Sequence, residues 1–234
     1  MTYSKSLPLR TFIIEIDAMI SVIKSSYRNK SISSDTKKYV LGCSVMLCSA
    51  KVEVYIEDFF DTWVSRINAS ALTSDSLPNN LKTLYLNQPF LNNAYKKLIM
   101  ENSEPKYIDL LKDELSNVYF NLTDPTKLLP RLYPKIIYQN KKYPSPENLI
   151  ALYNRIGIGN IFMQINALSR SDLKSLLVSF NSIRTAFSHN GIPVGINDRD
   201  IIASLKSMKR VISFIDRAVY NHINIHSSII TWPI

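Results

Sequence analysis

The sequence predicts an all-α protein, an up-and-down helical bundle with a proline-rich helical insertion in the middle. Three observations lead there. Apolar residues recur at spacings of three and four through long stretches. Almost nothing alternates with the period of two that a half-buried strand needs. Eight of the eleven prolines lie at positions 78, 89, 105, 125, 130, 134, 144 and 146, whereas 9–77, 147–192 and 194–232 have none. Two long helical blocks therefore flank a broken middle. The 234 residues, 46% apolar, suffice for a single domain over 1–234, with 78–146 an irregular insertion inside it.

The elements follow in order. A first helix is expected near 8–26, where Pro8 suits the opening turn and Phe12, Ile16, Met19, Ile20 and Ile23 form one apolar stripe. A second begins at the cap Ser33-Ser34-Asp35 and runs to about Ile67, carrying Leu41, Cys48, Tyr55, Ile56, Phe59, Phe60 and Trp63 at helical spacing. At 1.5 Å per residue it would reach about 50 Å, the length of a scaffold helix. Cys43 and Cys48 both fall in its apolar run and are expected in the core as free thiols. Short helices are expected near 88–101 and 105–119.

Leu128 to Pro146 is basic, aromatic and proline-rich, with Arg131, Tyr133, Lys135, Tyr138, Lys141, Lys142 and Tyr143. Cations interleaved with rings suit a single-stranded nucleic acid whose bases stack on tyrosine, so Arg131, Lys135, Lys141 and Lys142 are candidate RNA contacts. The same residues suit a solvated loop whose tyrosines pack on the bundle. Helices are then expected from Ser145-Pro146-Glu147 to about Ile156, from Ser171 to His189 and from Asp198 to Asn221.

Composition excludes several classes. Five glycines, at 42, 157, 159, 191 and 195, build no glycine-rich phosphate loop, and three histidines with two cysteines make a dedicated zinc site improbable. No cofactor is expected. Glu15 and Asp17 interrupt the apolar stretch near the N-terminus, which does not suit a secretory leader. No window reaches the eighteen or so uncharged apolar residues of a membrane span, so a cytoplasmic protein with no membrane partner is expected. The sequons at Asn68 and Asn121 carry no weight in that setting.

Charge gives the first functional pointer. The chain has 28 Lys+Arg against 19 Asp+Glu. Residues 1–120 hold 14 and 13 of these, net +1, and residues 121–234 hold 14 and 6, net +8. A one-sided positive field concentrates polyanions, which makes nucleic acid the leading partner class.

Three histidines limit where acid–base chemistry can sit. His222 and His226, four apart, could face one metal, but the sequence nearby offers no third ligand beyond Asp216, and ordinary histidines at a helix end suit them better. His189 ends an apolar helix and stands five residues after Arg184, with Asn190-Gly191 as a helix stop. Ten Arg and three His with gaps of four to six give roughly 0.4 such pairs by chance, so spacing alone decides nothing. A second pair exists, Arg217 and His222. Context separates them: Arg184 and His189 precede another long amphipathic helix, whereas nothing follows the second pair.

The string Arg184-Thr185-Ala186-Phe187-Ser188-His189-Asn190-Gly191 resembles the Arg-x4-6-His signature of the HEPN superfamily. Ser49 to Glu57, together with Pro144-Ser145-Pro146-Glu147-Asn148-Leu149 to Gly157, is similar to the RiboL-PSP-HEPN branch. The residue after the family's arginine is most often Asn, Asp or His; here it is Thr185. The resemblance implies a HEPN-like bundle, usually a homodimer, that cleaves RNA without metal through the ribose 2′-OH and often serves as a toxin or in defence against phage, with an antitoxin or defence-complex partner. It implies Arg184 and His189 as the catalytic pair. Thr185, Ser188 and Asn190 are supporting candidates, and Glu53, on an acidic stripe with Glu57 and Asp61, is a candidate partner for Arg184. The alternative is a catalytically silent module of the same fold that binds nucleic acid or protein.

Overall fold

The structure, a computed structural model, describes residues 2–86, 104–105, 118–190, 195–226 and 229–234. Eight α-helices are described: α1 (Leu7–Arg28), α2 (Ser34–Ala69), α3 (Asn79–Leu86), α4 (Lys135–Tyr138), α5 (Pro146–Asn154), α6 (Ile161–Ser169), α7 (Leu173–Asn190) and α8 (Asp198–His226). Among the described residues no strand occurs, only an isolated bridge between Thr73 and Leu128. The protein is all-α, as its periodicity predicts. The helices expected near 88–101 and 105–119 lie almost wholly outside the described residues.

Several helices start where first-turn amides find a side-chain acceptor. Ser6 Oγ accepts from the Leu9 amide at α1, Ser33 Oγ from Thr36 at α2, and Ser145 Oγ from Asn148 at α5. The sequence does not announce α6, which is only 9 residues long; Asn160 Oδ1 caps it and Arg170, in the left-handed region at φ 52°, closes it. Gly157 has a positive φ of 91°, and a Cβ there would come within 3.0 Å of Pro78 and 3.3 Å of His222 Nε2, so only glycine fits this turn.

Four helices make the bundle. α1 packs between α2 and α8, α8 also packs on α7 and α6, and α2 touches α7. One core joins them, built on Phe12, Ile16, Phe59, Phe60, Trp63, Tyr153, Phe180 and Ile215. α2 runs 36 residues, about 54 Å at 1.5 Å each. An eighteen-residue window of α2 reaches mean hydropathy 1.4, long and apolar enough by length and composition to cross a membrane, although its longest uncharged run is only 39–50. α2 meets α1, α7, α8 and α4 and buries thirteen residues over its length. Cys43 corrects one expectation, since it is exposed while Cys48 is buried. Five residues on a helix turn about 140°, so the two thiols face opposite ways. Burial pushes the Cys48 thiol up to about 12.

A buried carboxylate ties the two ends of the chain together. Asp216 of α8 is fully buried and accepts from the Ser6 amide and hydroxyl, the Tyr3 hydroxyl at 2.8 Å and the Tyr55 hydroxyl at 3.1 Å. Burial raises its pKa above the usual carboxylate range, against the lowering effect of these hydrogen bonds. Nearby, the Trp232 indole donates to Ser4 O and the Leu7 amide to Pro233 O.

Candidate active site

α7 carries the Arg/His string on an unbroken helix. It sets Phe187 against Gly42 of α2, where an added Cβ would lie 3.1 Å from the ring, and Ser188 against Met46. Both Arg184 and His189 are helical, so the turn of about 140° between them holds and their side chains leave the helix in different directions. Arg184 is half-buried and His189 is exposed. Among the described residues His189 has no hydrogen-bond or ion-pair partner.

Arg184 is held from outside its helix. Its Nη1 donates to the Tyr143 hydroxyl at 3.0 Å, and its guanidinium carbon lies 4.8 Å from the centre of the Tyr143 ring. Tyr143 belongs to a strap, residues 138–146, that crosses from α2 to α7. The strap is pinned by Asn181 Nδ2 donating to Pro144 O at 2.8 Å and by Asn148 Nδ2 donating to Tyr143 O at 3.2 Å. Three buried side-chain polar atoms lack a partner among the described residues, and two of them, Arg184 Nε and Asn181 Oδ1, stand one turn apart here. The third, Ser49 Oγ, is on α2. Orphaned polar atoms are uncommon in folded proteins, and two of the three found among the described residues fall at this place. Beside it opens a groove of about 580 Å³ lined by Tyr143, Glu147, Val178, Asn181, Ser182 and Thr185.

The remaining candidates divide. Thr185 is exposed on the same face of α7 as His189, four residues apart. Ser188 donates to the Arg184 carbonyl at 3.0 Å and within 3.5 Å to Met46 Sδ. Asn190 closes α7, and its side chain lies outside the described residues. Glu53 does not pair with Arg184: it is half-buried without an ion pair among the described residues, because the arginine turns toward Tyr143 instead. Its stripe-mates serve the strap. Lys142 pairs with Glu57 at 2.6 Å, and the Tyr138 hydroxyl donates to Asp61 at 3.1 Å.

The sequence-predicted RNA contacts are therefore not one open track. Lys142 bridges to the bundle, Lys141 donates to Asn148 at 3.4 Å, Arg131 lies over Tyr133, and Lys135 is exposed. Tyr143 and Asn181 are the residues that sequence reasoning missed in their present role; the only signal was Tyr143 among the interleaved rings.

The second Arg/His string is absorbed by structure. Arg217 lies over the Tyr3 ring at 6.0 Å, and His222 Nε2 is 2.7 Å from the Ile156 carbonyl, donating to it. An imidazole so engaged holds a turn, whereas that of His189 faces solvent.

These features define a helical-bundle protein that carries an Arg/His string on a core helix, its imidazole exposed and its guanidinium half-buried. The family model RiboL-PSP-HEPN matches residues 11–221, and the chain belongs to this family. HEPN domains are associated in general with RNA-related and nuclease functions. No curated protein and no solved structure matches the chain.

Proposed function

We propose that the protein is a metal-independent endoribonuclease that works as a homodimer. The observation that carries this reading is the contrast within α7: an exposed, unengaged imidazole at His189 and, five residues earlier, an arginine held at its outer edge by Tyr143 with Nε left unpartnered. Cleavage through the 2′-OH needs a base for that proton, an acid for the departing 5′-oxygen and a cation for the charge on phosphorus. Imidazole exchanges protons near neutral pH, and guanidinium offers phosphate a rigid fork. His189 takes the acid–base role and Arg184 the phosphate. The 2′-oxygen attacks phosphorus, the bond to the 5′-oxygen breaks, and the ends are a 2′,3′-cyclic phosphate and a 5′-hydroxyl.

One chain has one histidine in this motif, and a two-fold dimer would supply the second. A surface suited to that contact lies beside the site. Tyr39, Cys43, Met46, Leu47, Ala50 and Val54 repeat at helical spacing on the exposed side of α2, with Tyr39 67% and Leu47 50% exposed, and Met46 touches Ser188. The family resemblance extends the reading to a cytoplasmic toxin or anti-phage effector, held in check by an antitoxin or a defence-complex partner.

Purified protein should cut RNA equally well in EDTA. His189→Ala should lose about 10²–10⁴-fold in rate while remaining folded. Cutting that survives His189→Ala would end the assignment. Salt-sensitive RNA binding without turnover in the wild type would instead favour the silent binding module. Toxicity on expression, abolished by Arg184→Ala, is the corresponding test in cells.

A further inference from the structure

We infer that a basic groove between the end of α1 and the start of α8 binds the phosphate backbone of the RNA that reaches His189. The inference rests on the ribonuclease reading for its ligand and on a separate set of residues for its evidence. The groove, about 650 Å³, is lined by Lys24, Tyr27, Arg28, Asp198, Arg199 and Lys206 among others. Four cations stand there against one carboxylate. All four are exposed, and none has an ion pair or hydrogen-bond partner through its side chain among the described residues.

Other described cations, Lys135 among them, also lack a carboxylate partner, so what sets the groove apart is that four such cations line one concavity. Lys38, Lys51, Lys142 and Lys209 each pair with a carboxylate, and Lys209 meets Asp17 on the same α1–α8 seam. Towards the end of the seam the pairing stops. Four unneutralised charges close together repel one another and gain when phosphates replace their counterions. Tyr27, half-buried, has Lys37 Nζ 5.9 Å from its ring centre, which brings a fifth cation beside the groove.

The location fits a path to the active site. α1 runs antiparallel to α8, since Ser6 meets Asp216, Asp17 meets Lys209, and Tyr27 lines the groove with Asp198. The end of α1 and the start of α8 are thus at one end of the bundle, and α7 ends at Asn190, eight residues before Asp198 with His189 in its last turn, so the link between the two helices spans at most about 30 Å. The groove lies on the α1–α8 seam, and none of the exposed apolar residues of α2 lines it.

The test separates the groove from the chemistry. Binding of a short unstructured single-stranded RNA by full-length His189→Ala protein is measured across a range of salt concentrations, with and without Lys24→Gln, Arg28→Gln, Arg199→Gln and Lys206→Gln together. Loss of four phosphate contacts should flatten the plot of log affinity against log salt by about 2.8, at 0.7 per contact, and weaken binding on the order of tenfold or more. Glutamine at four cations elsewhere, Lys5, Arg10, Lys82 and Lys127, should move neither value comparably, and thermal melts of both variants verify folding. Equal affinity and slope with and without the groove substitutions would overturn the inference, as would no RNA binding by the His189→Ala protein. If the wild type fails to cut RNA while groove-dependent binding persists, the ribonuclease reading falls and the groove stands. If the wild type cuts and the groove substitutions change nothing, the reverse holds.

Discussion

Replacing Tyr143 tests how Arg184 is held, and two substitutions divide its contribution. Tyr143→Phe removes the hydroxyl that accepts from Nη1 at 3.0 Å and keeps the ring 4.8 Å from the guanidinium carbon; Tyr143→Ala removes both. A hydrogen bond from a charged donor contributes about 1.5–3 kcal/mol when sheltered, and because both side chains are half-exposed a value below that range applies, roughly 1 kcal/mol. Tyr143→Phe should therefore cost about fivefold in kcat/KM. Cation–π contact adds about 1 kcal/mol at a partly exposed site, which brings Tyr143→Ala to about 30-fold. If Arg184 grips the scissile phosphate as charge builds on it, the loss should fall mainly on kcat, with KM for RNA changing little. The assay is steady-state cleavage of a fluorogenic RNA, with melting temperatures measured in parallel so that a folding defect is seen separately. Tyr143→Ala within twofold of wild type, while Arg184→Ala is inactive, would refute the positioning role. A faster Tyr143→Phe enzyme would refute it in the opposite sense, since the contact would then restrain an arginine that must leave to act.

Two further substitutions probe parts of the fold that the chemistry does not use. His222→Ala loses the bond to the Ile156 carbonyl and packing against Gly157, which should lower stability by roughly 1–2 kcal/mol and the melting temperature by about 2–8 °C while RNA cleavage at 25 °C persists. A folded but inactive His222→Ala protein would move the catalytic assignment to the second Arg/His string. Asp216 holds its proton more tightly in the folded chain than in the unfolded one, so its contribution is fullest below the unfolded value, about 4, and is lost as pH rises through the folded value. Asp216→Asn has no proton to lose. Melting curves recorded from acid to neutral pH should show the wild type losing ground to Asp216→Asn as pH climbs, and a constant gap between them would contradict the raised pKa.

The long helices were legible in the sequence because each combines a cap with a sustained apolar period. Ser33 was readable as the start of α2, and the observed helix continues two residues past Ile67. α3 and α6, at 8 and 9 residues, offered too few turns for a period to stand out. Within the site, the Arg184 to His189 spacing could be read directly. The partner of Arg184 could not, since Tyr143 is 41 positions away and arrives on a strap whose path depends on Lys142 finding Glu57 and Asn181 finding Pro144. Glu53 was a reasonable local guess for the same reason that it failed: helical periodicity places an acid on a face and says nothing of what crosses that face. Cys43 failed likewise, since an apolar run on a helix that is only partly wrapped still exposes one side.

Charge teaches the complementary lesson. Counted along the chain, the excess of cations belongs to residues 121–234, and the densest run, 131–142, looked like the place for a polyanion. In the folded molecule Lys142 is neutralised by Glu57 and Lys141 turns to Asn148, while the unneutralised cluster draws Lys24 and Arg28 from the nearly balanced half of the chain. What a polyanion meets is the set of cations left over after the fold has made its own pairs, and that remainder is a property of packing rather than of composition. The same subtraction separates the two Arg/His strings. Arg217 and His222 are consumed by Tyr3 and Ile156, and among the described residues Arg184 and His189 remain as the Arg/His string with an exposed imidazole. A catalytic group must be available to substrate as well as suitably charged, so engagement by the fold is a sharper filter on these candidates than spacing.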